Sequence, residues 1–300
     1  MTAAVVATTA AAPATSDPGG RLDLATPTLG RAGTGLVLGL LDPVAAPVGG
    51  PVDARVRVSV ANIPNHTSKR GFRRSLQAIT EDRQDFVLLN EVGIRDLEKM
   101  HDITRRYRGY RDPVRDLTVG GSQSMNNVVL WRAKRWNLVD AGRVKVVDDD
   151  RGYRLGEAYT WDRYLTWTVL QRTTTGDVVS VVSLHMPTNP EYYPKQPKDA
   201  KTSRLRTYKR GMDRVLDVVD ALAEHGPVLL GGDMNSHPDQ GRWTAPSKMA
   251  TLGYGWAKDP GVMYLFHPAG TTVRNQRTLD IDSDHPALLA TVDLAGVGPS

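Results

Sequence analysis

The 300-residue sequence predicts an α/β protein in which two mixed, largely antiparallel β-sheets pack together between flanking helices. Apolar runs of strand length recur along the chain, and a few longer segments carry the apolar spacing of an amphipathic helix. Several predicted strands follow one another without an intervening helix, which argues against a doubly wound parallel sheet. A hydrophobic content of 40% is enough for a sizeable core.

Residues 1–50 differ in composition from the rest of the chain, because alanine, threonine, glycine and proline dominate them. We predict a low-complexity, flexible tail here and a single folded domain over residues 51–300. A secretory signal is the alternative, but the segment lacks a basic start and its threonines dilute the apolar run. A cytoplasmic monomer without a membrane span is therefore expected.

The first half of the domain is predicted to alternate strands and helices. Polar residues alternate with valine over residues 55–60 of the segment 55–61, which is the pattern of a half-buried strand. Residues 69–84 place apolar side chains at helical spacing with arginines opposite, and this helix leads into the buried apolar strand 86–89. Residues 94–107 show the same helical spacing, and the polar, glycine-bearing residues 109–127 predict a long loop.

The second half is predicted to consist mostly of strands. Apolar runs predict four strands, at residues 127–131, 139–147, 164–171 and 178–185. A Thr-Thr-Thr-Gly-Asp sequence at residues 173–177 predicts a hairpin turn. Residues 207–223 have strong amphipathic helical spacing. Apolar runs predict the remaining strands at residues 228–230, 263–266 and 287–292.

Charge and cysteine content exclude several kinds of site. The chain has no cysteine, so disulfides, thiolate metal sites and a cysteine nucleophile are excluded. The net charge is +5 and the sequence pI is about 9.4. The predicted tail is slightly acidic, so the basic character belongs to the folded domain. This balance favours a polyanionic partner.

The stretch from Val228 to Pro238 is the centre of the candidate site. Its apolar run is followed by two glycines, and then by Asp233 and Asn235 two residues apart. In an extended backbone alternate side chains point the same way, so this carboxylate and this amide are expected to share one side of the sheet edge. The glycines leave room for a close approach of a backbone or a ligand. An ordinary Asp-x-Asn turn is the alternative interpretation.

Polar side chains also stand at the ends of other predicted strands. They are Asn62, Glu91, His185 and, just before the last strand, Asp284 with His285. Any one of them could be a solvated rim residue. Their recurrence in one chain favours a shared polar centre over repeated chance.

The order of these residues resembles the motif series of the endonuclease/exonuclease/phosphatase superfamily, the DNase I-like metal-dependent phosphoesterases. The matching elements are Asn62, Asn90-Glu91, His185, Gly232-Asp233-Met234-Asn235 and Ser283-Asp284-His285. The resemblance covers residues 55–294. It implies a four-layer α/β sandwich with the site at one rim of the two sheets.

The resemblance also implies a divalent metal ion. Glu91 would be its main ligand, and Asn62 and Asp284 would help to place the metal and the phosphate. Oxygen ligands without cysteine favour Mg²⁺ or Mn²⁺, and Mg²⁺ needs only one or two carboxylates beside waters and phosphate oxygens.

Four further residues receive catalytic roles from the same resemblance. Asp233 would orient or deprotonate the attacking water, and Asn235 would hold that water or a phosphate oxygen. His185 and His285 would donate hydrogen bonds to the phosphate as charge builds in the transition state. The implied reaction is the hydrolysis of a phosphodiester.

One position departs from the family pattern. A short strand before the Ser-Asp-His element usually carries an aspartate that hydrogen-bonds the last histidine, whereas the best match here has Met263. Methionine is no strong acceptor, so His285 would lack a partner that orients its ring. Asp259, Asp280 and Asp282 are possible substitutes from a loop, and a catalytically weakened binding domain is an alternative function.

The segment after His185 predicts the substrate class. Residues 191–214 carry eight basic side chains, and two tyrosines offer faces on which a base could stack. The candidate substrate contacts are Tyr192, Lys195, Lys198, Lys201 and Arg204. They favour a nucleic acid, with DNA the first expectation, and hence a nuclease. Lipid-headgroup and inositol phosphates are the enzymatic alternatives.

Overall fold

A computed structural model of the chain describes residues 54–299, apart from residues 94, 112–125, 149–161, 188–197 and 240–242, together with residues 50 and 52. The predicted tail, residues 1–50, lies outside this described part except for Gly50. Among the described residues, no helix is long and apolar enough to cross a membrane.

The described part of the chain forms twelve strands and four α-helices. The strands are β1 (Arg55–Asn62), β2 (Phe86–Asn90), β3 (Tyr107–Arg111), β4 (Val128–Arg132), β5 (Trp136–Val147), β6 (Arg163–Arg172), β7 (Val178–His185), β8 (Val228–Asp233), β9 (Tyr254–Lys258), β10 (Met263–Pro268), β11 (Thr272–Leu279) and β12 (Ala287–Asp293). The helices are α1 (Lys69–Glu81), α2 (Leu97–Thr104), α3 (Lys198–Ala223) and α4 (Ala245–Met249).

The strands form two six-stranded mixed sheets. The first sheet has the order β11-β12-β1-β2-β4-β3, and the second has the order β5-β6-β7-β8-β10-β9. In each sheet one central pair is parallel, β1 with β2 and β7 with β8, and the other pairs are antiparallel. The predicted fold class, two mixed and largely antiparallel sheets with helices, is confirmed.

The main core lies between the two sheets. Val60 and Leu88 of the first sheet belong to the same buried cluster as Val181, Leu229 and Leu265 of the second. Alternate residues of the central strands face this layer, so burial of their apolar side chains holds the sheets together.

The outer faces of the sheets are covered by the helices. On the first sheet, Phe72, Leu76 and Ile79 of α1 and Met100 of α2 form a second buried cluster with strand residues. On the second sheet, α3 contacts β5 and β8, and its apolar stripe includes the buried Met212. This arrangement gives the expected four layers.

Several element boundaries differ from the sequence prediction. The second helix, expected over residues 94–107, is α2 over Leu97–Thr104, because the Asp96 side chain accepts a hydrogen bond from the Lys99 amide and caps its start. Residues 107–111, expected to end that helix and begin a loop, instead form edge strand β3 beside β4. Strands β9 and β11 and helix α4 were not predicted, because these segments lack a clear apolar period.

Candidate active site at the rim of the two sheets

The two parallel strand pairs end at one rim of the molecule. Asn62 at the end of β1 pairs in register with Asn90 of β2, and His185 at the end of β7 pairs with Asp233 of β8. Because both pairs are parallel, each presents two carboxyl ends side by side. Glu91 follows directly after β2, so five polar side chains meet where the sheets face each other.

Asn62 connects the two sheets through its amide. Its Nδ2 donates to Glu91 Oε1 at 3.0 Å and to Asp233 Oδ2 at 3.3 Å. One buried side chain therefore holds the carboxylates of Glu91 and Asp233 at a common point, as expected if they serve one reacting group.

His185 lies between the same two carboxylates. Its Nδ1 is 3.6 Å from Glu91 Oε1, and its Nε2 is 3.7 Å from Asp233 Oδ2. Asn235 Nδ2 is 3.0 Å from His185 Nε2 and donates to the carbonyl oxygen of Met186 at 2.9 Å. The amide of Asn235 thus orients the imidazole ring of His185 from the loop after β8.

The second predicted histidine reaches the same carboxylate from another direction. His285 Nε2 is 3.7 Å from Asp233 Oδ2 and 3.7 Å from Asp284 Oδ2. Asp233 is therefore flanked by two imidazoles. Asp284 differs from the other site residues in that its side chain is 71% exposed, so it lies at the open edge of the cluster.

Two backbone features allow the strand ends to approach this closely. Gly232 has φ +152, and a Cβ atom there would lie 1.7 Å from the carbonyl oxygen of Leu184. The expected close approach at the glycine pair is thus made by a neighbouring backbone. Glu91 (φ 57) and Asn235 (φ 46) adopt the left-handed region, which turns both side chains at the strand ends.

A buried polar network beneath the carboxylates fixes the spacing of the sheets. Asn90 Oδ1 accepts from the backbone amide of Asp233 at 3.0 Å, and Asn90 Nδ2 donates to Asn127 Oδ1 at 2.7 Å. Ser183 Oγ donates to the Leu89 carbonyl oxygen at 3.0 Å. Two of these bonds join strands of different sheets, and the third ties β2 to the residue just before β4, so the network braces the rim. Sequence analysis noted Asn90 in the motif series but did not assign it this role.

Burial changes the protonation of the central groups. Burial raises the pKa of Asp233 to about 6, although the His285 side chain and the hydrogen bonds from Asn235 and Asn62 oppose this rise. Burial lowers the pKa of His185 well below its usual value, and the Arg163 and His285 side chains lower it further. His185 is therefore neutral at pH 7, and the pKa of the Asp233 carboxyl group lies closer to neutrality than that of an ordinary aspartate.

The oxygen atoms around Glu91 fit a divalent cation. Asn62 Oδ1 is buried and has no hydrogen-bond partner among the described residues, which is costly unless something else satisfies it. It belongs to the side chain that donates to Glu91 Oε1. In the described part of the chain, no three histidine or carboxylate residues form a cage for a metal. Glu91 Oε1 and Asn62 Oδ1 are oxygen donors of the kind that hard divalent cations bind.

Met263 is a core residue. Its side chain is fully buried in the cluster between the sheets, and its backbone pairs with Asp233 in the β8–β10 ladder. Position 263 therefore carries an apolar side chain next to the strand end that bears Asp233, and it offers His285 no acidic partner.

Asp259 supplies an acidic group close to His285 instead. Its carboxylate is buried, Oδ1 accepts from the Met263 amide at 2.9 Å, and Oδ2 forms no hydrogen bond with the described residues. Burial raises the pKa of Asp259, and the nearby His285 lowers it. Of the three proposed substitutes, Asp282 is engaged with Arg74 at 2.9 Å.

Arg163 is a site residue that sequence analysis missed. It begins β6, where Leu165 pairs with Leu184, and so it lies beside the end of β7 at His185. Its side chain is buried, and the carboxylates of Glu91 and Asp233 act on its pKa. Sequence analysis looked for polar residues at the ends of strands, whereas Arg163 is the first residue of β6.

The predicted substrate contacts are only partly described. Tyr192 and Lys195 lie outside the described residues, and Lys198 and Lys201 belong to the start of α3, where side chains lie outside the described part. Arg204 is half-buried on the same helix. A cleft of about 380 Å³ opens beside Asp284 and is lined by Pro64, His66, Thr67, Ser68, Asp282 and Ser283.

Comparison with known proteins identifies the fold. No protein-family model matches the sequence, and no curated protein has significant sequence similarity to it. An endonuclease/exonuclease/phosphatase from Bacteroides vulgatus is similar in structure, with a TM-score of 0.61 and 15% identity over 80% of this chain and 98% of that chain. The Bacteroides thetaiotaomicron mannosyl-6-phosphatase has a TM-score of 0.59 and 12% identity over 79% of this chain and 99% of its own.

A third solved structure is ANGEL2, described as a 2′,3′-cyclic phosphatase in complex with adenosine-2′,3′-vanadate. Its TM-score is 0.54 at 14% identity, covering 79% of this chain and 95% of that chain. The chain therefore has the DNase I-like α/β sandwich fold of the endonuclease/exonuclease/phosphatase structures, as the motif series implied.

Proposed function

We propose that this protein is a divalent-metal-dependent phosphodiesterase, and that its substrate is a nucleic acid. The observation that carries the proposal is the position of the buried Asp233 carboxylate, which lies 3.7 Å from both His185 and His285 and is bridged to Glu91 by Asn62. A carboxylate with a raised pKa, held among hydrogen-bond donors beside a second carboxylate, suits water activation next to a metal ion.

Glu91 and Asn62 would hold the metal, with Asp284 contributing from the open edge. Bound Mg²⁺ or Mn²⁺ would supply Lewis-acid charge to a phosphate oxygen. Glu91 Oε1 and the unsatisfied Asn62 Oδ1 are the oxygen atoms that fit this assignment.

Asp233 would accept a proton from the attacking water, because its pKa of about 6 leaves it ionised at neutral pH yet basic enough to take part in proton transfer. Asn235 would orient that water or a non-bridging oxygen. The histidines would donate hydrogen bonds to the phosphate, and His185 would do so as a neutral imidazole.

A nucleic-acid substrate is favoured by charge. The basic residues of the 191–214 segment follow directly after the site strand β7, and tyrosines lie among them. ANGEL2, one of the similar structures, is described as a 2′,3′-cyclic phosphatase in complex with adenosine-2′,3′-vanadate, a nucleoside derivative. Lipid-headgroup and inositol phosphates remain the alternative substrates. A catalytically weakened phosphodiester-binding domain, suggested by Met263 in place of an aspartate, is the second alternative.

Two assays test the proposal. The full chain is expected to hydrolyse bis-p-nitrophenyl phosphate and to nick supercoiled plasmid in Mg²⁺, and a chelator or Asp233→Asn should abolish both activities. Hydrolysis of bis-p-nitrophenyl phosphate without nicking of the plasmid would favour a lipid-headgroup or inositol phosphate as the substrate. Absence of both activities in Mg²⁺ and in Mn²⁺ would contradict the proposed function.

A further inference from the structure

Backbone carbonyl oxygens surround the guanidinium of Arg95. Its Nη1 donates to the carbonyl oxygens of Val92 at 3.1 Å and Pro64 at 3.4 Å. Its Nη2 donates to those of Asn65 at 3.2 Å and Thr67 at 2.5 Å. No carboxylate in the described part of the chain forms an ion pair with this side chain, and burial alone lowers its pKa. Four neutral acceptors therefore hold a half-buried cation.

The four carbonyl groups belong to the two loops that leave the first sheet at the candidate site. Three lie in the loop after β1, which ends at Asn62, and the fourth belongs to the residue directly after Glu91. The two loops are in contact, because a Cβ atom added to Gly93 would lie 2.6 Å from Cβ of Asn65. Arg95 therefore fastens the loop beyond one candidate metal-holding residue to the loop beyond the other.

Two other elements hold Arg95 in place. Arg111, at the end of β3, donates through Nη2 to the Gly93 carbonyl oxygen at 2.9 Å and through Nη1 to the Arg95 carbonyl oxygen. The guanidinium carbon of Arg95 lies 4.4 Å from the centroid of the Phe72 ring on α1, which is a favourable contact for a cation. The backbone of Arg95 is thus tied to β3, and its side chain rests on α1.

Glu91 has a backbone conformation that needs such support. A non-glycine residue keeps a left-handed backbone only where its surroundings hold it. Glu91 has φ 57 and Gly93 has φ 62, and Val92 between them is one of the residues whose carbonyl oxygen accepts from Arg95. Hydrogen bonds from a charged donor are stronger than those from a neutral one. Backbone carbonyl oxygens are also common ligands of bound Ca²⁺, so the guanidinium takes the place that a structural cation would occupy.

We propose that Arg95 is a positioning residue for the candidate metal site, a built-in cation that fixes the backbone of Glu91 relative to Asn62. The inference deepens the proposed function and rests on it for the identity of the metal ion. The effect extends to a third site segment, because the Thr67 hydroxyl donates to the Asp282 carbonyl oxygen just before β12, at 3.3 Å. Arg95 acts through these loops and is not itself a metal ligand, since its side chain offers only donors.

The test measures Mg²⁺ binding to the full-length protein by calorimetry, which does not depend on turnover. Arg95→Ala should weaken Mg²⁺ affinity about tenfold or more, because the loop that carries Glu91 loses its anchor. Arg95→Lys should weaken it about threefold, since an ammonium keeps the charge but lacks the planar set of donors that reaches all four carbonyl groups. Arg73→Ala is the matched control, because it removes an exposed arginine of α1, and it should leave the affinity unchanged.

Chemical rescue separates positioning from a general loss of stability. Guanidinium chloride at a non-denaturing concentration should restore most of the Mg²⁺ affinity of Arg95→Ala, whereas the same concentration of sodium chloride should not. Removal of a positive charge would by itself tighten the binding of a second cation. Weaker Mg²⁺ binding in Arg95→Ala would therefore report the lost position of the loop and not the lost charge.

Unchanged Mg²⁺ affinity in folded Arg95→Ala would overturn the inference, and so would a weakened affinity that guanidinium does not restore. If Arg95→Ala does not fold, Arg95→Lys carries the test, and wild-type affinity in that variant would overturn the inference. Failure of both variants to fold would assign the guanidinium to the stability of the fold alone and would also overturn it. Wild-type protein that binds neither Mg²⁺ nor Mn²⁺ is a distinct result, which would contradict the proposed function itself.

Discussion

The carboxylate of Asp259 accepts a hydrogen bond from the backbone amide of Met263, with 2.9 Å between Oδ1 and N. This bond holds an acidic group near His285, while the Met263 side chain itself points into the core. The loop residue Asp259 is therefore an acidic group that interacts electrostatically with His285.

Substitutions at positions 263 and 259 are expected to have opposite effects on stability and on kcat. Met263→Asp should not increase kcat. It should lower the free energy of unfolding by about 3 kcal/mol or more, because it buries a carboxylate in an apolar layer. Asp259→Asn keeps an oxygen acceptor for the Met263 amide but loses the charge, so kcat should fall about tenfold with little change in stability. Chemical denaturation and steady-state kinetics measure both effects.

The control for this pair is His285→Ala. If Asp259 acts through His285, Asp259→Asn should cost nothing further in the His285→Ala background. An increase in kcat from Met263→Asp would instead support position 263 as the place of the acidic partner of His285.

Glu91→Gln tests the metal site. The substitution preserves size but removes the charge that would hold a divalent ion, so phosphodiester turnover at limiting Mg²⁺ should fall about 100-fold or more. Calorimetry should show weaker Mg²⁺ binding in the same variant. Glu98→Gln, at an exposed position on α2, is the control. Near wild-type turnover at limiting Mg²⁺ would refute the assignment of Glu91.

The pH dependence of turnover tests Asp233. The ionised carboxylate is the active form, and its pKa is raised to about 6, so the rate should fall as the pH drops below about 6. A bound cation stabilises the ionised form, and the acid limb should therefore move to lower pH as the Mg²⁺ concentration rises. Asp233→Asn should abolish turnover and leave inorganic phosphate binding largely intact. Parallel loss of both would indicate a structural turn.

The basic segment after β7 is tested through salt dependence. Replacing Lys195, Lys198 and Lys201 with alanine should weaken DNA binding and flatten the slope of log affinity against log salt, because fewer counterions are released. Turnover of bis-p-nitrophenyl phosphate should barely change. An unaltered slope would assign these lysines to the solvated surface.

Gly232→Ala tests the contact that brings β7 and β8 together. A Cβ atom at Gly232 would collide with the Leu184 carbonyl oxygen, so the free energy of unfolding should fall by more than about 3 kcal/mol. Gly270 is a matched control, because it has φ +83 and a Cβ atom added there would meet nothing within 4 Å. Gly270→Ala should cost only about 1 kcal/mol. Thermal denaturation that ranks the two variants equally would contradict this interpretation.

The predictable part of the fold is the buried part. Strands such as β7 and β8 are fully buried and begin with apolar residues, so their existence and their polar ends could be predicted from the sequence. Edge strand β11 is largely exposed on both faces, and β3 begins only two residues after α2 ends. Neither strand therefore carries a pattern that separates it from its surroundings.

The predictable part of the site is the set of residues at the strand ends. The clustering of Asn62, Glu91, His185 and Asp233 depends on parallel pairing, which places similar strand ends at one rim. Arg163 and Asp259 reach the site across antiparallel neighbours, where the start of one strand lies beside the end of another. Such partners depend on register, and register is a tertiary property that local pattern does not specify.

The left-handed backbone conformation of Glu91 sets stability against the proposed catalytic activity. A glutamate with φ 57 costs about 1 kcal/mol or more relative to glycine, and the same region is occupied by Asn235. Glycine at either position would relieve the backbone and remove the side chain on which the proposed chemistry depends. Laboratory evolution that selects for thermostability alone would therefore favour glycine at these positions and yield an inactive protein. The residues found at these two positions would show whether a selection had also required activity.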